Sequence, residues 1–389
     1  MRPDLLAPQR AAFDVPADVA YFNTAMLAPQ LHAVRAAGAA ALEFRGRPWA
    51  ISSIDWFADV EHLRLLFARI VGGDAEGVAL VPATSYGFAV AARNLPLRPG
   101  QRVLVLAEEY PSGVHTWRAA ARRAGAEILT VVREPEQSWT DAVLAALDER
   151  VAIVSVPNVH WTDGALVDLG PIARRAHELG ARLVIDGSQS VGAMPIDVEA
   201  LRPDFLVTVG YKWLLGPFSL AYLYVAEEHR RGEPLEENWI ARAGSEDFAR
   251  LVDYREEYQP GARRFDVGQR TKFELTPMAI AALEQILAWG VDSVAVTLAA
   301  RTAEIARRAG ELRLDPAPAA QRGPHMLGVR LPAGAGAYAI TALAEVNCFA
   351  ALRGNALRLA PHLHTNDEDV ARLLDGLALA AHRNAIRAA

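Results

Sequence analysis

The stretch RLVIDGSQSVG, residues 182–192, and the stretch FLVTVGYKWLLGPFSLAYLYV, residues 205–225, each run from a nearly continuous apolar segment, broken in the second only by Thr208, into a polar residue: Asp186 in the first, Tyr211-Lys212 in the second. A near-continuous apolar run is what a strand covered on both faces requires. Outward from these two, the same pattern recurs at GVALVPATS (77–85), QRVLVLAEEY (101–110), EILTVVRE (127–134) and VAIVSVPN (151–158). Between them lie Ala, Arg and Leu-rich segments of helical spacing, GVHTWRAAARRAGA (113–126), TDAVLAALDER (140–150) and LGPIARRAHELGA (169–181), the last stopping on Gly180. This alternation predicts an α/β fold whose large domain is a mainly parallel sheet covered by helices. Open sheets of this kind bind ligands beyond the carboxyl ends of their strands. The residues just past those ends are Thr84-Ser85, Tyr110, Asn158, Asp186 with Gln189, and Tyr211-Lys212.

Around YREEYQPGARRFDVGQ (254–269) the strand pattern stops, and charge, glycine and proline accumulate. The expected organisation is a large domain over 20–258 and a smaller α+β domain over 259–389, joined by the N-terminal segment 1–19. In the second part a helix is predicted over Pro277–Trp289, then strands in HMLGVRL (325–331), NCFAALRG (347–354) and ALRLAP (356–361). A terminal helix in TNDEDVARLLDGLALAAHRNAI (365–386) has Asn366 as its N-cap and acids in its first turn.

The composition narrows the partners. A net charge of −6 over 389 residues gives no basic surface for nucleic acid or an anionic membrane. Cys348 is the only cysteine, which excludes an intramolecular disulfide framework and fits a reducing, cytoplasmic location. The first residues carry no long apolar segment of the signal-peptide kind, and the most apolar later stretch (279–300) is interrupted by Glu284 and Asp292, so a packed helix and a turn are expected there rather than a membrane span. The remaining partner class is a small molecule.

Lysine is scarce: Lys212 and Lys272 are the only two among 40 Lys and Arg. An amine can lose its proton and attack a carbonyl, whereas a guanidinium stays charged. Lys212 follows a buried strand directly; Lys272, in GQRTKFELTP (268–277), has no such setting. The aldehyde cofactor that bonds lysine is pyridoxal 5'-phosphate, and its further needs can be checked. A carboxylate must keep its ring nitrogen protonated, which Asp186 can do. Its phosphate suits hydroxyls and amides at a helix start, where Thr84 and Ser85 stand. Tyr110 is placed to cover the ring, and Asn158 to serve the phenolic oxygen.

With those residues in one order, VIDGSQSVGAMPIDV followed by RPDFLVTVGYKWLLGPFSLAYLYV resembles the class V aminotransferase family of fold type I pyridoxal-phosphate enzymes, which includes cysteine desulfurases, kynureninases and isopenicillin N epimerase-like proteins. The likeness runs from YFNTAMLAP (21–29) to LRLAPHLHTNDEDV (357–370). It implies that Lys212 is the Schiff-base lysine, Asp186 the pyridinium partner, and Gln189, with Asn158 nearby, the contact to the phenolic oxygen. It further implies phosphate contacts from Thr84 and Tyr211, a clamp on the substrate α-carboxylate from Arg358, and a homodimer with its sites near the subunit interface. By position Asn23 and His160 are candidates for the substrate pocket.

Departures from the family pattern limit the reaction. Tyr110 stands where desulfurases stack a histidine, and Val209 where a phosphate-binding serine is usual; Thr208, one step off, points to the opposite strand face. Gly268-Gln269 replaces a Gly-Thr pair that reaches the partner subunit's phosphate, leaving Gln269 as the donor there. Cys348 lies ten residues before Arg358 in a predicted strand, which disfavours persulfide chemistry. His362 and His364 have no apparent third ligand, so no metal is expected. The expected function is an aminotransferase-like enzyme acting on an amino acid, with a C–S or C–C lyase, an epimerase, or a non-catalytic binding protein of the same fold as alternatives.

Overall fold

The computed structural model describes residues 3–134, 136–331 and 335–388. In chain order a short strand β1 (Ala20–Tyr21) and helices α1 (His32–Arg45) and α2 (Ala58–Val71) precede the large sheet. Its strands are β2 (Val78–Val81), β3 (Arg102–Leu106), β4 (Glu127–Val131), β5 (Val151–Pro157), β6 (Arg182–Asp186), β7 (Phe205–Val209) and β8 (Ala221–Val225). Helices α3 (Thr84–Asn94), α4 (Pro111–Ala124), α5 (Trp139–Ala146), α6 (Leu169–Glu178) and α7 (Val198–Leu201) connect them. Across the sheet the order is β2, β8, β7, β6, β5, β3, β4. Only β8 runs against its neighbours β7 and β2.

Period-two alternation explains why the runs look apolar throughout. Leu104, Val154, Leu183, Ile185 and Leu206 enter the core on one face of the sheet, while Val103, Ile153, Val184, Phe205 and Val207 enter that on the other. Gly125 at the end of α4 and Gly180 just after α6 take φ of 68° and 70°, the left-handed geometry that stops a helix.

Beyond residue 258 the chain stays with the large sheet longer than the composition shift suggests. Helix α8 (Leu275–Trp289) buries Ala279, Ala282, Leu283 and Ile286 in the first of these cores and packs on α1 and α2. It leads through Gly290 into α9 (Val291–Glu311) with a 75° bend. Among the described residues no single helix is long and apolar enough to cross a membrane.

The smaller sheet is antiparallel. It takes β9 (Asp315–Pro316) and β10 (Leu327–Arg330) and, after α10 (Gly336–Glu345) and a short β11 (Cys348–Phe349), β12 (Ala351–Arg353) and β13 (Ala356–Leu359), in the order β12, β13, β10, β9. Here NCFAALRG is not one strand but two. The N-terminal strand β1 pairs in parallel with β11, where Ala20 N–H donates to Asn347 O at 2.9 Å and Phe22 N–H to Phe349 O at 2.8 Å, and after Ala350 the chain turns to pair with β13. Cys348 is buried in that junction, and burial pushes its thiol up to about 12, far from a reactive thiolate. The last helix, α11 (Asp367–Ala388), begins with a reciprocal cap: Asp369 N–H donates to Asn366 Oδ1 at 2.9 Å and Asn366 N–H to Asp369 Oδ2 at 3.0 Å.

Candidate active site

Asp186 ends β6 between Pro157 of β5 and Val207 of β7, at the carboxyl edge of the sheet. Ser188 N–H donates to its Oδ1 at 2.9 Å and holds the carboxylate in place. Lys212 stands just past β7, in a loop whose form depends on glycine. Gly210 N–H donates to Leu220 O at 2.9 Å and Gly216 N–H to Gly210 O at 2.8 Å. A Cβ on Gly210 would stand 2.9 Å from Leu220 O, and one on Gly216 would stand 3.1 Å from Gly210 O. Leu215 and Ser219 take left-handed φ of 54° and 64° to complete the loop, the kind of local strain that marks functional segments.

These strand ends surround a pocket of about 250 Å³, lined by Asp186, Lys212, Val209, Gln189, Glu109, Tyr110 and Trp161. Thr84 and Ser85 close one end, at the start of α3, whose first amides have no acceptor inside the helix. Tyr110 presents its ring 5.5 Å from Lys212 Nζ, and Tyr211 presents its own at 5.9 Å. Tyr211 also packs on Phe218, ring centroids 4.6 Å apart. Gln189 is pinned from two sides: its Nε2 donates to Ala25 O at 3.0 Å, and its Oε1 accepts from Trp213 Nε1–H at 2.9 Å.

Burial pushes the Lys212 amine down to about 8; Asp186 opposes this, while Arg358 and Arg353 act in the same direction as burial. The result is an amine that gives up its proton far more readily than an exposed lysine. Burial raises the Asp186 carboxyl, against its Ser188 hydrogen bond and the charge of Lys212. Glu109, which the sequence reading passed over, is pushed up to about 8 by burial and by Asp186. Its Oε1 accepts Tyr110 N–H at 2.6 Å, and its Oε2 is buried without a partner, as is Ser188 Oγ.

Other sequence candidates fall outside this pocket. After β5 the chain alternates, so that Pro157, Val159 and Trp161 face the pocket and Asn158 and His160 turn into the protein. Asn158 Nδ2 donates to Val167 O at 2.9 Å. His160 stacks on Trp139 at 5.2 Å and lies 3.2 Å from Ala107 O through Nε2; its imidazole is held below the usual range, chiefly by burial. Gln269 is exposed beside a separate hollow formed with Arg45, Trp56 and Thr271, so within one chain it does not meet Thr84. Thr208 is buried in β7, and Val209 takes the pocket-facing place. His362 and His364 are buried, His362 against Trp213 and His364 against Phe13 and Tyr21.

Arg358, 1% exposed, lies behind Trp161 and donates through Nη1 to Trp161 O at 2.6 Å and through Nη2 to Asn23 Oδ1 at 3.3 Å. Its Nε is buried with no partner, and burial together with Arg353 lowers its guanidinium to about 10. An unsatisfied cation in that position suits a carboxylate.

The family description Aminotransferase class-V matches residues 52–319, more than half of the chain. A kynureninase from Deinococcus radiodurans is 31% identical over 278 residues, 68% of this chain and 65% of that protein, so the chain spans just under two thirds of its length. The uncharacterized aminotransferase YcbU of Bacillus subtilis is 29% identical over 353 residues, 87% of each. Among solved structures, a variant of C-DES with glycine covalently linked to its pyridoxal-phosphate cofactor superposes with a TM-score of 0.85 at 19% identity, over 96% of this chain and 99% of that one. The strand order, the lysine and aspartate at the sheet's carboxyl edge and the family match agree: this chain belongs to the aminotransferase class-V family and has the fold type I scaffold of pyridoxal-phosphate enzymes.

Proposed function

We propose that this chain is a pyridoxal-phosphate-dependent enzyme that acts on an amino acid, in the first instance as an aminotransferase. The observation that carries this reading is the meeting of Lys212 and Asp186 in one pocket with the Tyr110 ring and the first turn of α3. The residues fit the cofactor. Asp186 is a buried carboxylate awaiting a cationic partner, and the hydroxyls and amides at Thr84 and Ser85 suit a phosphate. When bound, pyridoxal phosphate supplies an aldehyde for an amine and a ring that accepts electron density from Cα.

The chain's own residues then have distinct tasks. Arg358 holds the α-carboxylate and so fixes which bond at Cα faces the ring. Lys212, lowered to about 8, has a neutral amine available to take the Cα proton and return it. Asp186 would hold a proton on the ring nitrogen of the bound cofactor, and Tyr110 would shield that ring from water. A lyase reading has one observation in its favour: Glu109 holds a proton in the same pocket at neutral pH and can deliver it to a leaving group. The likeness to kynureninase supports the same reading.

The test is direct. Purified protein given pyridoxal phosphate should bind it, and borohydride should fix a pyridoxyl mass on the peptide containing Lys212 and leave the Lys272 peptide unmodified. A panel of amino acids then separates the readings by product: an α-keto acid for transamination, a side-chain fragment for a lyase. Protein that takes up no pyridoxal phosphate ends the proposal.

A further inference from the structure

We propose that Arg353 binds an anionic group at the end of the substrate's side chain, so that the enzyme acts on amino acids bearing a carboxylate or sulfinate there. This rests on the functional reading above and narrows its substrate class. Arg353 ends β12 and Arg358 lies in β13, in a hairpin where Ala351 pairs with Arg358 and Arg353 with Ala356. The guanidinium of Arg353 lies 5.8 Å from the centroid of the Trp161 ring. Trp161 lines the pocket and meets Tyr110 edge-on at 5.5 Å, with its Nε1–H anchored on Glu108 O at 2.7 Å.

Charge and position together mark this arginine out. Many buried and half-buried arginines have acids: Arg64 and Arg270 share Asp266, Arg263 takes Glu61 and Glu76, and Arg133 takes Asp163, while buried Arg322 is served instead by the Ala317 carbonyl and the Thr302 hydroxyl, away from the pocket. Among the described residues neither Arg353 nor Arg358 makes an ion pair, and Arg353 donates only to Leu352 O, at 2.8 Å. The charge of both nonetheless lowers the Lys212 amine, and Arg353 adjoins the pocket through the Trp161 ring that lines it. The acids of the pocket do not balance them. Asp186 is committed to the cofactor's ring, and Glu109 is largely protonated at neutral pH. A substrate α-carboxylate satisfies Arg358 and leaves the charge of Arg353 over, beside the Trp161 ring that lines the pocket. A second anion on the substrate completes the balance, and a planar guanidinium held 5.8 Å from the Trp161 ring centroid is set to receive it.

The probes are aspartate, glutamate and cysteine sulfinate, against alanine, asparagine and glutamine, each titrated into the cofactor-loaded protein while the absorption of the bound cofactor is followed. The anionic set should bind about 10- to 100-fold tighter than the neutral set, the range expected for a charge-assisted contact. Which of the three anions binds most tightly separates carboxylate from sulfinate and sets the side-chain length. Arg353→Gln should remove that preference while alanine binding stays within about two-fold, and Arg353→Lys should restore part of it. Arg353→Met, which keeps aliphatic packing on Trp161, repeats the test, and thermal melts confirm that the variants are folded. Succinate, titrated by calorimetry, reads the pair of arginines with no amine and no reaction; its affinity should fall at least about ten-fold in Arg353→Gln. Equal binding of alanine and aspartate, or equal losses for both in Arg353→Gln, would overturn the proposal. If no amino acid perturbs the cofactor while succinate still depends on Arg353, the paired-anion site stands and the catalytic reading falls.

Discussion

Lys212 and Lys272 differ less in burial than in what faces them. Lys212, 8% exposed, has open space in front of its amine, two tyrosine rings beside it and Asp186 in the same pocket. Lys272 is half-buried, with its ammonium tied to the carbonyl of Ser219. Burial lowers both amines, so desolvation by itself does not make a nucleophile. What distinguishes them is topology. Lys212 sits at the carboxyl edge of the sheet where neighbouring strands deliver their own polar ends, and Lys272 lies in the segment leading into α8, behind the loop that carries Ser219. The first lysine faces the pocket, and the second braces its wall.

The largest effect is the chemical one. Lys212→Ala should abolish the borohydride-fixed pyridoxyl mass and lower turnover by about 10³-fold or more, the scale expected when a nucleophile that is also the proton carrier is removed. Lys272→Ala should keep the mass on Lys212. A pyridoxyl label on Lys272 in the wild-type protein would break the comparison at once, and peptide mass spectrometry is sufficient to see it.

Next in size is a stability effect of opposite sign. In the unfolded chain a lysine takes up its proton below about 10.5, and in the fold Lys212 does so only below about 8. The unfolded state therefore holds the proton more tightly, so a charged Lys212 costs the cofactor-free fold stability at every pH below about 8. The cost shrinks as pH rises from 8 to 10.5. The difference of about 2.5 units corresponds to roughly 3 kcal/mol. Lys212→Met should accordingly raise the melting temperature of the cofactor-free protein at pH 7, and by less at pH 10. Lys272→Met should not, because it removes a bond to Ser219. A cofactor-free Lys212→Met that melts lower than wild type would show that the amine is already well satisfied.

How far this site was legible in the sequence follows from the same contrast. Asp186, Lys212 and Thr84 were visible because each directly follows a run of apolar residues, and the Lys-x-x-x-Gly-Pro spacing carries its own steric reason at Gly210 and Gly216. Asn158 and His160 were misplaced for a reason of parity. The sequence tells which residues come after β5, but extended chain sends alternate residues to opposite sides, and it is Val159 and Trp161 that face the pocket. Glu109 stands next to Tyr110, yet its importance depends on its burial in the fold and then on the approach of Asp186 from another strand. Arg353 was hidden inside a segment that reads as one strand and is two, and its lack of an acid partner is a property of the fold, not of any local pattern.

The smallest effect belongs to Lys272 and tests whether its role is confined to the loop. Its ammonium reaches the Ser219 carbonyl across the segment that carries Leu215 and Ser219 in left-handed geometry, and Ser219 and Phe218 line the pocket. Removing one charge-assisted hydrogen bond from a half-exposed donor costs about 1 kcal/mol, discounted for solvent screening. Lys272→Met should therefore lower the melting temperature by only about one or two degrees in a chain of this length. Its effect on function should appear as an apparent affinity for pyridoxal phosphate weakened by less than about ten-fold, since a loosened loop leaves Asp186, Thr84 and Lys212 in place. The pH profile of turnover should keep its shape, because the amine that sets it is Lys212. A shifted profile in Lys272→Met would mean that the brace also sets the charge environment of the nucleophile, and the two lysines would then have to be treated as one coupled pair.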